Sequence, residues 1–223
     1  MWDAYQNDPV FGDTGCPSGG RHEYLCTQVS ADAIALNIGA GSGSLERQLI
    51  AKGVEVHTLD PSETTINRLR EELELGERAK VGYSQAIPFA DGSFDVVIMT
   101  EVLEHLPDKA LNTTLPEVSR VLRSGGEFIG TVPADEDLVQ SLVVCPHCEQ
   151  RFHRWGHVQK FTSIRLQQFL EAHFVEVSIR RRVFDDFRAL NLKGKAAYVL
   201  RALQAHLGVI AANQHFYFTS RKR

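Results

Sequence analysis

Residues 33–51 read AIALNIGAGSGSLERQLIA, and the order of residue types in this stretch decides the fold class. Ala33–Ile38 is an apolar run of strand length, Gly39, Gly41 and Gly43 follow at every second position, and Ser44–Ala51 then has the apolar spacing of a helix. A strand that opens through glycines into a helix leaves backbone N–H groups at the helix N-terminus with no side chains in front of them, which suits a bound ligand. Asp60 lies 21 residues after Gly39, at the end of the next apolar run, Val54–Leu59, where a carboxylate can accept both hydroxyls of a ribose. Loop and acid together describe a nucleoside pocket at the carboxyl edge of a sheet. The third glycine comes one residue earlier than in the dinucleotide fingerprint and no second mononucleotide half follows, so a dehydrogenase is the weaker reading.

Outward from this core, residues 32–131 alternate short apolar runs with longer amphipathic ones, the pattern of strand–helix units in an α/β fold. The spacing predicts a helix at Glu63–Leu75 ended by Gly76, a short strand at Lys80–Ser84, a doubly buried strand at Phe94–Thr100, a helix at Asp108–Leu122 halted by Gly125-Gly126, and a strand at Glu127–Val132. Residues 134–160 break the rhythm and are expected to form an insertion. Helix Ile164–Ala172, strand Val175–Arg182, helix Lys195–Leu207 and strand Phe216–Ser220 then complete the domain, which spans 32–223. Residues 1–31 are expected to form an N-terminal flap, loop-rich through Thr27 because of the Gly15 to Gly20 turn cluster.

The chain of 223 residues carries a formal charge of -4, unevenly spread. Residues 1–140 hold 10 basic and 23 acidic side chains, whereas 141–223 hold 14 basic and 5 acidic ones. That balance argues against a protein that coats nucleic acid, and it lets the basic part face an anionic small molecule. Met1–Pro9 lacks the basic start and apolar core of a signal peptide, and Ala196–Ala212 is interrupted by Arg201, Gln204 and His206, so a cytoplasmic protein with no membrane anchor is expected. Oligomeric state is not legible.

Four stretches in order, IALNIGAGSG at 34–43, Asp60, AIPFADGSFDVVIMTEVLEHLPD at 86–108 and LPEVSRVLRSGGEFIGTVP at 115–133, resemble the class I S-adenosylmethionine-dependent methyltransferases, particularly the ubiquinone- and menaquinone-pathway group. The resemblance implies a Rossmann-like, seven-stranded, mostly parallel sheet ordered 3-2-1-4-5-7-6 with helices on both faces. It implies that Gly39, Gly41 and Gly43 line the methionine part of S-adenosylmethionine, that Asp60 holds the ribose, that Ser84 and Gln85 flank the adenine, and that Glu101 sits close to the sulfonium. Two positions depart from the family, which usually has acids where this chain has Asn37 and Tyr83. Asn37 can hydrogen-bond to the cofactor without offsetting its charge, and Tyr83 can stack on adenine or fill space.

For a hydroxyl acceptor, His105 is the nearest candidate base, with Glu101 beside it at the reactive edge. Glu101, Glu104 and His105 are also similar to the metal-binding stretch of small-RNA 3′-end 2′-O-methyltransferases, in which a later histidine, here His153 or His157, completes the site; helix-start carboxylates and a packing histidine are the plainer reading. Cys145, Cys148, His153 and His157 form a C-x2-C-x4-H-x3-H array, and two thiolates with two imidazoles suit a structural zinc ion. Cys16, Cys26 and His147 are alternative ligands, while Arg180–Arg182 reads as a basic cluster split between two faces of a strand. No Asn-Pro-Pro-Tyr or Asp-Pro-Pro-Tyr follows the fourth strand, which disfavours base N-methylation. The expected function is methyl transfer to a small-molecule acceptor, with O-methylation preferred; RNA 2′-O-methylation, or a zinc-knuckle interaction protein with a degenerate pocket, are the other readings.

Overall fold

The alternating runs fold into nine strands and six helices among the described residues, 19–211 and 213–223 of a computed structural model. Helix α1 (Gly19–Gln28) precedes β1 (Ile34–Ile38), α2 (Ser44–Ala51), β2 (Glu55–Asp60), α3 (Glu63–Glu72), β3 (Ala79–Val81) and β4 (Phe94–Thr100). Then come α4 (Asp108–Val121), β5 (Leu122–Pro133), a hairpin of β6 (Leu142–Val144) and β7 (Arg151–His153), α5 (Ser163–Glu171), β8 (Val175–Arg182), α6 (Leu192–His206) and β9 (His215–Arg221).

Seven strands form one sheet in the order β3-β2-β1-β4-β5-β9-β8, in which β9 runs antiparallel to both neighbours. Counted along the main sheet, this is the expected order. The connections reverse direction across the sheet at β1, which pairs in parallel with both β2 and β4. A crevice therefore opens at the carboxyl ends of β1 and β4, where ligands of open α/β sheets bind. Side chains alternate across the sheet: Leu36, Val97, Met99, Phe128 and Phe218 pack on the face carrying Leu115 of α4 and Leu166 of α5, whereas Ala35, Val96, Ile98 and Ile129 pack with Leu25 of α1 and Leu45 and Leu49 of α2. Helices thus cover both faces, and each fully buried phenylalanine contributes about 2–3 kcal/mol of hydrophobic stabilisation.

Three local expectations are corrected. Residues 19–28 are helical rather than loop, because Leu25 is fully buried against the sheet and Gly20 is there for close packing: a Cβ on it would stand 2.6 Å from the Asp185 carbonyl oxygen. Residues 1–18 of the expected flap, with Cys16, lie outside the described residues. Helix α4 ends at Val121, and Gly125-Gly126 lie within β5, whose start pairs Leu122 with Phe94 before the register shifts at Phe94/Val96. The strand expected at 80–84 shortens to Ala79–Val81, its end reshaped by the Gly82 N–H bonded to the Asp60 carbonyl at 3.1 Å. No helix among the described residues is long and apolar enough to cross a membrane.

The insertion is the β6–β7 hairpin, with Leu142 opposite His153 and Val144 opposite Arg151. Its return segment is stitched to the turn after β4, since Val158 and Gln159 both donate their N–H groups to the Glu104 carbonyl, at 2.8 and 3.0 Å.

Strand β5 approaches β4 so closely at Gly130 that an alanine Cβ there would stand 2.0 Å from the Met99 carbonyl oxygen. Gly130→Ala should lower the unfolding free energy by about 2–3 kcal/mol, seen as a lower urea midpoint; an unchanged midpoint would contradict this packing.

Candidate functional site

At the crevice, the glycine loop is shaped from both sides. Gly39 has φ +92°, and its Cα faces Val102, whose Cγ2 would lie 2.6 Å from any Cβ. Gly41, at φ +53°, has open space where a Cβ would be, so the loop presents bare backbone there. Gly43 is the left-handed residue before α2, and no side chain caps that helix. Arg68 binds the Gly41 and Ser42 carbonyls at 3.1 and 3.2 Å, and Arg47 binds the Ser42 carbonyl at 2.8 Å. Because a trans peptide holds C=O and N–H on opposite sides, the Ser42 N–H points away from Arg68.

Asp60, only 2% exposed, accepts the Ala40 N–H on Oδ2 and the Ser62 N–H on Oδ1, each at 2.9 Å. The residue assigned to the ribose from sequence therefore also ties the loop after β1 to the turn after β2. Asn37 is turned toward α2: its Nδ2 donates to Glu46 Oε1 at 2.7 Å, and Thr58 Oγ1 donates to the same oxygen at 2.8 Å. Burial pushes the Glu46 carboxyl above its ordinary pKa despite these two bonds. Glu46 was missed from the sequence, although its place on the helix stripe of Leu45 and Leu49 marks it as inward-facing.

The adenine-side candidates separate. The Ser84 hydroxyl is bonded to Thr114 Oγ1 of α4 at 2.8 Å, Gln85 is half-buried at the edge, and Tyr83 is 66% exposed and fills no interior space.

Glu101 follows β4 with φ +54°, an uncommon conformation for a residue with a side chain. Its carboxylate accepts from Thr131 Oγ1 at 2.8 Å and lies 3.2 Å from His215 Nδ1 and 3.6 Å from Arg21 Nη1. Burial alone would raise its pKa, but the Arg21 guanidinium and His215 outweigh that and keep the group ionised. Arg21, Thr131 and His215 come from three distant parts of the chain, and no local spacing announces them.

Beside it, Glu104 is completely buried, and burial together with the charge of Glu101 holds its carboxyl well above the usual range. His105 Nδ1 is 3.2 Å from the Gly156 carbonyl, and burial, reinforced by His157, lowers its pKa to about 4. His157 stands edge-on to His105 and stacked on His153, at ring separations of 4.7 and 4.6 Å. Two residue groups among those described have ligand atoms within 4.8 Å of one another, Glu104/His105/His157 and Glu136/His153/His157, and neither contains a cysteine. The expected zinc set is thus divided. Cys145 and Cys148 sit in the hairpin turn, closed by the Cys145 N–H to the Gln150 carbonyl at 2.9 Å, while the histidines lie at the hairpin base. The backbone N–H groups of Cys148 and His147 hold the Cys145 thiol below its ordinary pKa. Cys26 instead donates to the Gln48 carbonyl at 3.6 Å. Two of the three clustered arginines have internal partners: Arg181 pairs with Asp135 over the Phe216 ring and Arg182 lies over Tyr24 on the other face, whereas Arg180 is exposed.

The family model described as "Methyltransferase domain" matches residues 36–130, from β1 through most of β5. Residues 36–130 thus match a methyltransferase domain. Sarcosine/dimethylglycine N-methyltransferase of Halorhodospira halochloris is 37% identical over 132 residues, 56% of this chain and 47% of that protein. Ubiquinone biosynthesis O-methyltransferase of Aromatoleum aromaticum is 35% identical over 102 residues, 44% of this chain and 43% of the relative. The chain thus spans under half the length of these two curated relatives. The crystal structure of Burkholderia thailandensis 1,6-didemethyltoxoflavin-N1-methyltransferase, with bound 1,6-didemethyltoxoflavin and S-adenosylhomocysteine, shares the fold at TM-score 0.63 and 19% identity, over 99% of this chain and 84% of the other.

Within the matched residues, Asp60→Ala strands two buried N–H donors and should cost about 3 kcal/mol in urea unfolding, with Asp60→Asn recovering part because one acceptor oxygen remains. Equal stability of all three proteins would show that Asp60 does not hold the loop. Glu46 binds its proton more tightly folded than unfolded, so stability is greatest below the unfolded value near 4.5 and falls as pH rises toward the folded one. Glu46→Gln should remove that fall, making the variant progressively more stable relative to the parent above pH 4.5; parallel profiles would contradict a buried, proton-retaining carboxyl.

Proposed function

We propose that the chain is an S-adenosylmethionine-dependent methyltransferase that binds the donor across the carboxyl ends of β1 and β4 and methylates a small molecule at a hydroxyl. The observation that carries the reading is the loop at Gly41, which has positive φ, open space at its Cα and an uncapped helix start behind it, directly beside the buried Asp60. These residues fit the donor: bare backbone meets its amino-acid end, and the Asp60 carboxylate stands beside that loop at the end of β2, where a ribose hydroxyl can donate to it. When bound, the donor supplies an activated methyl group as a sulfonium, so the chain's task is alignment and exclusion of water.

A hydroxyl acceptor is favoured by the proton acceptors at the same edge. Glu101 is ionised and His105 is uncharged near neutral pH, so each can accept a hydrogen bond from a hydroxyl acceptor and orient its oxygen toward the methyl group. The N-methyltransferase and O-methyltransferase relatives keep both acceptor classes in the test. The internal pairing of Arg181 and Arg182 leaves only part of the basic cluster exposed, which supports a small acceptor over a nucleic acid, whose phosphates need a run of exposed cations.

Calorimetric titration should give one S-adenosylhomocysteine site per chain. Gly41→Val, whose Cβ would meet no described residue within 4 Å and whose positive φ strains the loop itself, should weaken that site by about tenfold or more. Unchanged affinity would place the donor elsewhere, and no binding by the parent protein would remove the proposal. Transfer of labelled methyl to a panel of phenols, alcohols and amines then reads the acceptor class.

A further inference from the structure

Helix α6 faces the domain with the side that most helices expose. Its inward side is small or polar: Ala205 is buried, Tyr198 meets the Phe187 ring at 5.3 Å between centroids, and Arg201 is paired with Asp185. Its outward side is aliphatic. Leu192, Val199, Leu200, Leu203 and Leu207 recur at helix spacing, and with Ile210 just beyond they range from 53% exposed at Leu203 to 85% at Leu192. A surface helix ordinarily turns such a stripe toward the core. The helix is nonetheless firmly started, because the Asn191 side chain accepts the Gly194 N–H at 2.9 Å.

The surroundings of this stripe are cationic. Residues 187–223 hold seven Lys and Arg side chains and no Asp or Glu. Lys193 and Lys195, in the first turn of α6, have no carboxylate partner among the described residues; Lys195 Nζ instead stands 5.4 Å from the centre of the Phe187 ring. Cations at a helix N-terminus oppose its dipole, so these two do not serve the helix itself. Behind the helix, a cavity of about 760 Å3 separates α6 from β8, and its lining includes Arg180, Arg182 and His206 but no acidic residue.

Composition distinguishes the possible occupants. Protein interfaces are enriched in aromatic residues and arginine and depleted in lysine, whereas this stripe is all leucine, valine and isoleucine, with lysines beside it. In a two-fold pairing of two copies the face would meet itself, and neither copy would offer a carboxylate from this segment to Lys193 or Lys195. A bilayer satisfies both features at once, since acyl chains take an aliphatic stripe and anionic headgroups take the cations beside it. We propose that α6 docks on an anionic lipid surface, with the stripe from Leu192 to Leu207 entering the boundary between headgroups and acyl chains and Lys193 and Lys195 meeting lipid phosphates. The helix lies on the bilayer and does not span it, as no helix among the described residues is long and apolar enough to cross. Lipid docking and donor binding use different residues, so each stands or falls without the other.

The test is flotation of the full-length chain with vesicles of phosphatidylcholine alone and of phosphatidylcholine and phosphatidylglycerol in equal parts. The chain should bind the mixed vesicles at least about tenfold more tightly than the neutral ones, and high salt should reduce that preference. Leu200→Gln/Leu203→Gln changes only exposed side chains, so it should keep the parent's circular dichroism while binding the mixed vesicles at least about tenfold more weakly. Lys193→Gln/Lys195→Gln should lose about tenfold on the mixed vesicles and nothing on the neutral ones. Failure of the parent to float with the mixed vesicles, unchanged binding by the leucine variant, or equal binding to both compositions would each overturn the proposal. Sedimentation showing a parent dimer that the leucine variant dissociates would assign the stripe to a second copy and overturn it as well.

Discussion

The crevice depends on one carboxylate that two turns share. Asp60 ends β2, and its two oxygens take the N–H of Ala40 from the glycine loop and the N–H of Ser62 from the start of α3. Parallel pairing of β1 with β2 fixes the strand ends side by side, with Ile38 opposite Leu59, but it does not fix where the loops beyond them go. The Asp60 bridge does. It acts where side-chain packing cannot, since Gly39 and Gly41 have no side chains to hold them. A charge-assisted bond to a backbone N–H is worth more than a neutral one, and burial strengthens it further. Loop shape and the proposed ribose contact therefore rest on the same group.

Three buried carboxyl groups around the crevice have environments that push them in different directions. Glu46 meets only neutral donors and is biased toward its protonated form. Glu101 lies beside Arg21 and His215 and stays ionised. Glu104 has no donor among the described residues and feels the charge of Glu101, which raises its pKa further. Sites whose titratable neighbours are driven apart in this way separate charge-bearing from proton-bearing roles. The placement of Glu46 also gives the Asn37 departure a physical meaning: a carboxyl does lie behind the glycine loop, but on α2, and Asn37 is one of its donors.

Much of this was legible because it is local. The bounds of α2, β4 and β8 follow from runs whose periodicity has no competitor, and the glycines with Asp60 locate the crevice. Helix α1 was not legible: GGRHEYLCTQ begins with two glycines, and the burial of Leu25 that stabilises it comes from the sheet. The partners of Glu101 were hidden for the same reason, since Arg21, Thr131 and His215 meet only once α1, β5 and β9 are assembled. In the C-x2-C-x4-H-x3-H array, sequence spacing misled because strand pairing intervenes. A hairpin carries its turn away from its base, so cysteines in the turn separate from His153 at the end of β7 and His157 beyond it even though few residues lie between them.

That hairpin is attached in a way that separates its two ends energetically. Ala134 bridges Phe161, the Asp135 N–H bonds the Phe161 carbonyl at 2.9 Å, and Asp135 pairs with Arg181 of β8, so the insertion leaves and rejoins the domain at nearly one point. A segment closed at its base adds little strain to the sheet that bears it, because the cost of closing a loop grows only slowly with its length. The turn from Cys145 to Gln150 is then free to vary in sequence, whereas the return segment is not. Gly156, Val158 and Gln159 bond to the Glu104–His105 turn, and Gln159 Nε2 also reaches the Leu106 carbonyl at 3.0 Å and Asp108 at 2.9 Å. A change in the base of the insertion must consequently move the residues after β4, and with them Glu101 and the reactive edge of the crevice.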